Sequence, residues 1–166
     1  MKGAVRLLLA GNVLLISLLL AGCETVPDGI QQAKIAADQR IASEPPGDYF
    51  VWRRYYKPDF KFWGYVRKPG QPWITAVLVM LNEKQTLAPD RKALSFGSDN
   101  NYEYRLYGGF SGESVYEPAS NRIYPEFILK KYELISTSPP PIFKSQTSGS
   151  AAAATTRLTI EKPGLN

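Results

Sequence analysis

The distribution of aromatic residues is the feature that most constrains how this chain folds. The sequence has 166 residues, and all of its tryptophans, tyrosines and phenylalanines lie between Tyr49 and Phe143. Aromatic side chains bury more apolar area than most others, so they dominate the core of a small domain. The folded core is therefore expected within this interval, and the residues on either side of it are expected to contribute little.

The aromatic-rich interval predicts mostly β-structure. Phe60–Lys68 and Trp73–Glu83 are strand-like runs joined by the turn sequence PGQP, a pattern that predicts a hairpin. Trp73–Glu83 is apolar on both faces, which is typical of a central strand. Asn101–Phe110 alternates between apolar and polar residues, a short strand is predicted at SVY, and Glu126–Ser136 supplies the last strand.

These patterns predict a mainly β fold of about five strands. Short strands separated by glycine and proline turns favour a small barrel or sandwich. Glycines inside the strands suit a strongly bent barrel of the OB or SH3-like kind. The alternative is an α+β domain in which NEKQTLAPDRKAL, residues 82–94, forms a short helix.

The two ends of the chain are predicted to lie outside the β domain, which we place at residues 48–136. Residues 23–47 are interpreted as a tether with one short helix over Gly29–Ser43, since a thin apolar stripe recurs there at helical spacing. The stripe consists of Ile30, Ala33, Ala37 and Ile41. Small and polar residues dominate 137–166, so this range is predicted to be a disordered tail.

The N-terminus has the organisation of a signal peptide. Lys2 and Arg6 precede the apolar run Leu7–Leu20, and two small residues then lead to Cys23. The run fits a signal-peptide core of roughly 7–15 residues, and it is shorter than the roughly 20 residues of a membrane-spanning helix. Residues 1–22 are therefore interpreted as a signal peptide. The alternatives are an ordinary signal peptide with an incidental cysteine and an uncleaved anchor helix.

The sequence Leu20-Ala21-Gly22-Cys23 resembles the lipobox of bacterial lipoproteins. This resemblance implies that the thiol of Cys23 carries a diacylglyceryl group, that the chain is cut before Cys23, and that the new amino terminus is acylated. An aspartate after the cysteine tends to retain such proteins in the inner membrane, so Glu24 favours the outer membrane, with the domain facing the periplasm. Because Cys23 is the only cysteine, an intramolecular disulfide is excluded.

The composition excludes several kinds of catalytic site. The chain has no histidine, so Ser-His-Asp triads and the usual zinc sites are excluded. No glycine-rich phosphate-binding motif occurs, and neither a metal nor a cofactor is expected. Alternating oxygens at Asp99, Asn101 and Glu103 suggest a calcium site, but we favour a polar turn there. An enzyme would have to use carboxylates, for which the candidates are Glu113, Glu117, Glu126 and Glu133.

The segment Asp48–Lys68 is the main candidate for a binding surface. It contains six basic and nine aromatic residues. Basic groups beside aromatic rings can hold an anionic or sugar-bearing polymer through charge pairing and stacking. The alternative is that the aromatic residues fill the core and the basic residues cover the outside of the domain. The predicted contact residues are Arg53, Arg54, Tyr55, Tyr56, Lys57 and Trp63.

The function predicted from these features is non-enzymatic binding or assembly in the cell envelope. The lipid on Cys23 would attach the protein to a membrane, and the domain would contact an envelope polymer or a partner protein. An envelope location argues against nucleic acid as a partner. Two alternatives stay open, a hydrolase of the cell wall or of glycans that uses carboxylates alone, and a structural subunit of an envelope complex.

Overall fold

The computed structural model describes residues 28–61, 63–146 and 159–164. The predicted signal peptide and Cys23 lie outside the described residues. The chain divides into two compact units, Met1–Ala33 and Lys34–Asn166. The first unit is described only from residue 28, where the helix α1 begins. The second contains the six strands of the described ranges.

The predicted N-terminal helix is present as α1, Asp28–Ala42. Ala37 and Ile41, which belong to the predicted apolar stripe, are buried. They are four residues apart and therefore lie on one face of the helix. Ile41 belongs to the main apolar cluster of the second unit, which holds the C-terminal end of α1 against the domain.

The described chain forms six strands, of which the first four are short. Their bounds are β1 Phe50–Arg53, β2 Tyr65–Arg67, β3 Val77–Leu78, β4 Met80–Asn82, β5 Glu103–Glu117 and β6 Arg122–Ser136. One helical turn, α2, spans Pro89–Lys92, and two 3-10 turns span Trp73–Thr75 and Lys144–Gln146.

One curled sheet contains all six strands in the order β3-β2-β1-β5-β6-β4. The pair β4–β6 is parallel and every other pair is antiparallel. The mixed sheet forms a half-barrel, which confirms the prediction of a small, mainly β fold. The α+β alternative predicted a helix in residues 82–94, and α2 supplies only a single turn there.

The curl of the sheet brings its two edges together at one point. The edge strands β3 and β4 are separated by Val79 alone, so the edges lie within about 7 Å of each other there. The prediction of a central strand over Trp73–Glu83 is therefore wrong. The segment is apolar on both faces because Leu78 packs into one apolar cluster and Val79 into the other.

The long hairpin of β5 and β6 dominates the sheet. Its strands pair from Glu103↔Ser136 to Glu117↔Arg122, and the register shifts at three places along the ladder. At one of these shifts Gly108 has a φ of 145°, and a Cβ there would lie 2.0 Å from the carbonyl oxygen of Ile128, so only glycine fits. The glycines within the predicted strand thus mark a bulge in the ladder, as their sequence context suggests.

Two apolar clusters lie on opposite faces of the sheet. On β1, Val51 belongs to the first cluster, whereas Phe50 and Trp52 belong to the second. Successive residues of a strand point to opposite faces, so β1 is buried on both sides. It therefore lacks the alternating pattern that would have distinguished it as a strand.

Part of the range predicted as a disordered tail contributes to the first cluster. Within 137–166 the structure describes residues 137–146 and 159–164. Ile142 and Phe143 are buried there, and the ring of Phe143 lies 5.0 Å from that of Tyr55. A few apolar residues are enough to hold a segment on a core, even where the average composition is small and polar.

Candidate functional site

The predicted contact residues divide into a buried and a half-buried group. Arg53 is 0% exposed, Arg54 is 1% exposed, and Tyr55 is also buried. Tyr56, Lys57 and Trp63 are half-buried. The alternative interpretation, in which the basic residues cover the outside of the domain, is wrong for the arginines, because each is enclosed by carboxylates and aromatic rings.

Arg53 forms a buried ion pair with Glu103 at 2.6 Å. These residues are direct cross-strand neighbours on β1 and β5. The Arg53 guanidinium also donates to the Asn101 side chain at 3.1 Å and to the carbonyl of Pro140 at 3.0 Å. Burial lowers the pKa of Arg53, and the carboxylate of Glu103 opposes that shift. The pair therefore has a structural role at the centre of the sheet.

The ring of Trp73 contacts two guanidinium groups. The centroid is 5.1 Å from Arg53 and 4.4 Å from Arg67, and Trp73 is fully buried. Arg67 also donates two hydrogen bonds of 2.6 Å to the carboxylate of Glu44. Cation–π contacts strengthen when water is excluded, so the tryptophan links the two ion pairs into one unit.

Arg54 is enclosed by two carboxylates on the other face. Its Nε donates to both oxygens of Asp99 at 2.9 and 2.8 Å, and its Nη2 lies 2.6 Å from Asp90. The guanidinium also lies over the ring of Trp52 at 4.7 Å. Burial raises the pKa of Asp99, and the charge of Arg54 acts against that increase.

The same contacts account for the oxygens considered as a calcium site. Asp99 binds Arg54, while Asn101 and Glu103 both accept hydrogen bonds from Arg53. Arginine donors thus occupy the positions where a cation would have to bind. Within the residues that the structure describes, no group of three acidic, histidine or cysteine side chains is placed to hold a metal ion.

A small cavity of about 160 Å³ brings four of the six predicted contact residues together. The four are Arg54, Tyr55, Tyr56 and Lys57. Trp63 is not among the lining residues, since its ring packs against Arg91 at 5.2 Å. Arg53 does not line this cavity either. The predicted set is therefore only partly assembled into one surface.

A larger cavity, called the groove below, lies beside the edge strand β3. Its volume is about 770 Å³. One wall is formed by the segment 74–78, and another by the C-terminal segment 160–164. Tyr65, Tyr124 and Leu78 are buried lining residues of the first apolar cluster, while Ile74 and Val77 are exposed at the rim.

Two tyrosine hydroxyls hold the C-terminal wall of the groove. The Tyr65 hydroxyl donates to the carbonyl of Glu161 at 2.7 Å, and the Tyr55 hydroxyl accepts from the Glu161 backbone N–H at 3.0 Å. Burial raises the pKa of Tyr55 to about 12. Tyr55, predicted as a contact residue, therefore positions a wall of the groove.

Sequence reasoning did not find the groove. Its walls come from segments around residues 65, 76, 123, 144 and 162, which no local pattern connects. The sequence predicts Ile74 as part of a central strand, whereas it is exposed at the rim of the groove. Hydrogen bonds of Tyr55 and Tyr65 with the backbone of Glu161, which is distant along the chain, complete the groove.

The glutamates considered for catalysis bind different partners. Glu117 accepts hydrogen bonds from the backbone N–H groups of Ala119 and Ser120, and Glu126 accepts one from Asn82. Burial acts to raise the pKa of Glu117, but the hydrogen bonds from Ser120 and Ala119 prevail and lower it. This is the behaviour of a carboxylate that caps a turn.

Comparisons with protein-family models, with curated proteins and with solved structures find no match for this chain. Among the described residues, no helix has the length and apolar character needed to cross a membrane. The class of protein is therefore described by the structure alone: it is a mainly β half-barrel with an open groove at one sheet edge.

Proposed function

We propose that this protein is a non-enzymatic binding module of the bacterial cell envelope, held at the membrane by a lipid on Cys23. The groove is the observation that carries the binding role. Its volume of about 770 Å³ lies within the range of about 300–1,000 Å³ that is typical of ligand sites. It is lined by apolar and aromatic side chains together with a few charged groups, as such sites usually are.

The arrangement of charged groups supports binding more than catalysis. Arg53 and Arg54 are each bound by carboxylates and serve the fold. Glu117 and Glu126 bind separate partners. A hydrolase needs two carboxylates facing one substrate bond, and this arrangement gives that alternative no support.

The proposed anchor is tested by replacing the acylated thiol. Cys23→Ser is expected to abolish incorporation of labelled palmitate and to leave the signal peptide uncut, because the hydroxyl does not serve as the lipid acceptor. The measurement is metabolic labelling followed by mass determination of the chain. Glu24→Gln is the control and should keep the label. Palmitate that remains on the Cys23→Ser chain would refute the anchor.

The binding role is tested by photo-crosslinking in intact cells. A benzophenone amino acid at position 74, on the rim of the groove, is expected to give a discrete adduct. Ile74 is 70% exposed, so the substitution should not disturb the core. Leu94, 89% exposed and away from the groove, supplies the control position. No adduct from position 74, or the same adduct from both positions, would contradict the proposal.

The hairpin end favours a structural subunit as a second candidate. Tyr116 and Ile123 are cross-strand neighbours there and are 57% and 68% exposed. Adjacent exposed apolar side chains on one face of the hairpin suit a protein interface. The same crosslinker at position 123 distinguishes this role, since a subunit interface should give a protein adduct of fixed mass from that position and none from position 74.

A further inference from the structure

We propose that the groove binds a single-chain anionic amphiphile, that is, an alkyl chain that ends in a phosphate or carboxylate. This inference rests on the proposed binding function and specifies the chemical class of its ligand. Three properties of the groove point to this class: its exposed apolar rim, its excess of positive charge, and its shape.

The apolar part of the groove is only partly covered by the chain itself. Ile74 is 70% exposed and Val77 is 41% exposed, and both lie beside the buried side chain of Leu78. Transfer of methylene groups from water to an apolar surface is favourable. An alkyl chain lying along the segment 74–78 would bury this rim together with its own surface.

The charged part of the groove is strongly unbalanced. Three basic residues line it, and Glu161 is the one acidic residue among its described lining residues. The Glu161 carboxylate already accepts the backbone N–H of Ser145 at 2.9 Å. The excess of cations is complementary to an anionic head group, which would receive charge-assisted hydrogen bonds. The three basic residues are Arg122, Lys144 and Lys162.

The shape of the groove favours a single chain over a membrane surface or a peptide. It is a concave space between the segment 74–78 and the segment 160–164, so a flat bilayer would not fill it. The adjacent sheet edge, β3, has only two residues. That edge is too short to bind an extended peptide by adding a strand, which depends on a row of backbone hydrogen bonds.

The test uses the mature lipidated protein, which begins at Cys23, in nanodiscs of phosphatidylcholine. The probe is a 12-carbon alkyl phosphate that carries a diazirine, and labelled positions are mapped by mass spectrometry. Labelling is expected within residues 74–78 and 160–164. Unlabelled dodecyl phosphate should suppress it, whereas dodecyltrimethylammonium, which has the same chain and the opposite charge, should not.

Matched variants test the charged contact and the apolar contact of the groove separately. Lys162→Glu is expected to reduce labelling by about tenfold, and Lys130→Glu, an exposed lysine outside the groove, should leave it unchanged. Ile74→Asp should likewise reduce labelling, with Leu94→Asp as its control. All four positions are exposed, so the variants are expected to fold, and circular dichroism checks this.

Several outcomes would overturn the inference. Labelling spread over the whole chain, insensitivity to Lys162→Glu, or equal competition by dodecyltrimethylammonium would each exclude an anionic ligand in the groove. Suppression by nanodiscs of phosphatidylglycerol without free ligand would assign the groove to a membrane surface. If the alkyl phosphate does not label the groove while position 74 still crosslinks to a protein in cells, the proposed binding function is retained and the anionic amphiphile is excluded as its ligand.

Discussion

Arg54→Ala is expected to lower the free energy of unfolding by about 3–5 kcal/mol, because it leaves two buried carboxylates without their shared cation. Asp90 is 0% exposed and Asp99 is 4% exposed, and both contact the Arg54 guanidinium. Equilibrium unfolding in urea at pH 7, followed by tryptophan fluorescence, measures the loss.

Part of the stability that Arg54→Ala loses at pH 7 should return in acid. Burial already raises the pKa of Asp99 with Arg54 present, and without that charge the pKa rises further. A carboxyl group whose pKa is higher in the folded state stabilises the fold below its unfolded pKa, and this contribution is lost as the pH rises through the folded pKa. The deficit of the Arg54→Ala protein relative to wild type should therefore shrink as the pH falls from 7 towards 4.

Arg91→Ala provides the comparison for Arg54. Arg91 is paired with Glu83 at 3.1 Å, but its side chain is 39% exposed. Exposed ion pairs contribute little, so the expected loss is at most about 1 kcal/mol. Similar losses for the two variants, or a deficit of Arg54→Ala that does not depend on pH, would show that the buried cluster is not held by this arginine.

Glu103→Ala is expected to cost a similar amount, about 3–5 kcal/mol, by leaving Arg53 buried and unpaired. The Arg53 guanidinium has no exposed surface and lies over the ring of Trp73, which also contacts the guanidinium of Arg67. Removal of Glu103 therefore leaves two cations around one ring with less negative charge nearby. Thermal and urea unfolding measure the loss.

The double variant Arg53→Met with Glu103→Met distinguishes a missing charge from a missing side chain. Apolar replacement of both members of a buried pair is often neutral, so most of the stability should return. Glu113→Ala, at an exposed position on the same strand, should change stability by no more than about 0.5 kcal/mol. If Glu103→Ala behaved like Glu113→Ala, the pair would have no structural role.

Local patterns predicted the elements whose residues alternate or carry turn signals. The hairpin that pairs β2 with β3 and the helix α1 follow from such patterns. The patterns predicted β5 as two separate strands and began β6 at Glu126, whereas β5 is continuous over Glu103–Glu117 and β6 begins at Arg122. Local patterns did not identify β1 as a strand, and they wrongly predicted a central strand over Trp73–Glu83. Both segments are apolar on two faces, but for different reasons. β1 is central in the sheet, whereas Trp73–Glu83 passes between the two clusters at the sheet edges.

The candidate site illustrates the same limit. The segment Asp48–Lys68 shows by composition that cations and aromatic rings are close together along the chain, and in the structure the Arg54 guanidinium lies over the rings of Trp52 and Trp63. Composition does not show the carboxylates that enclose the arginines. Arg53 faces Glu103 only because β1 and β5 pair in that register.

By itself, the sequence determined the mainly β character of the chain and the position of its core, since alternation, turn residues and aromatic content are local properties. It also carries the lipobox resemblance at Cys23, which is a linear motif. Only the tertiary structure decided that the arginines are buried and that a groove lies beside β3. Both depend on strand register and on the docking of residues 159–164, which join groups that are distant along the chain.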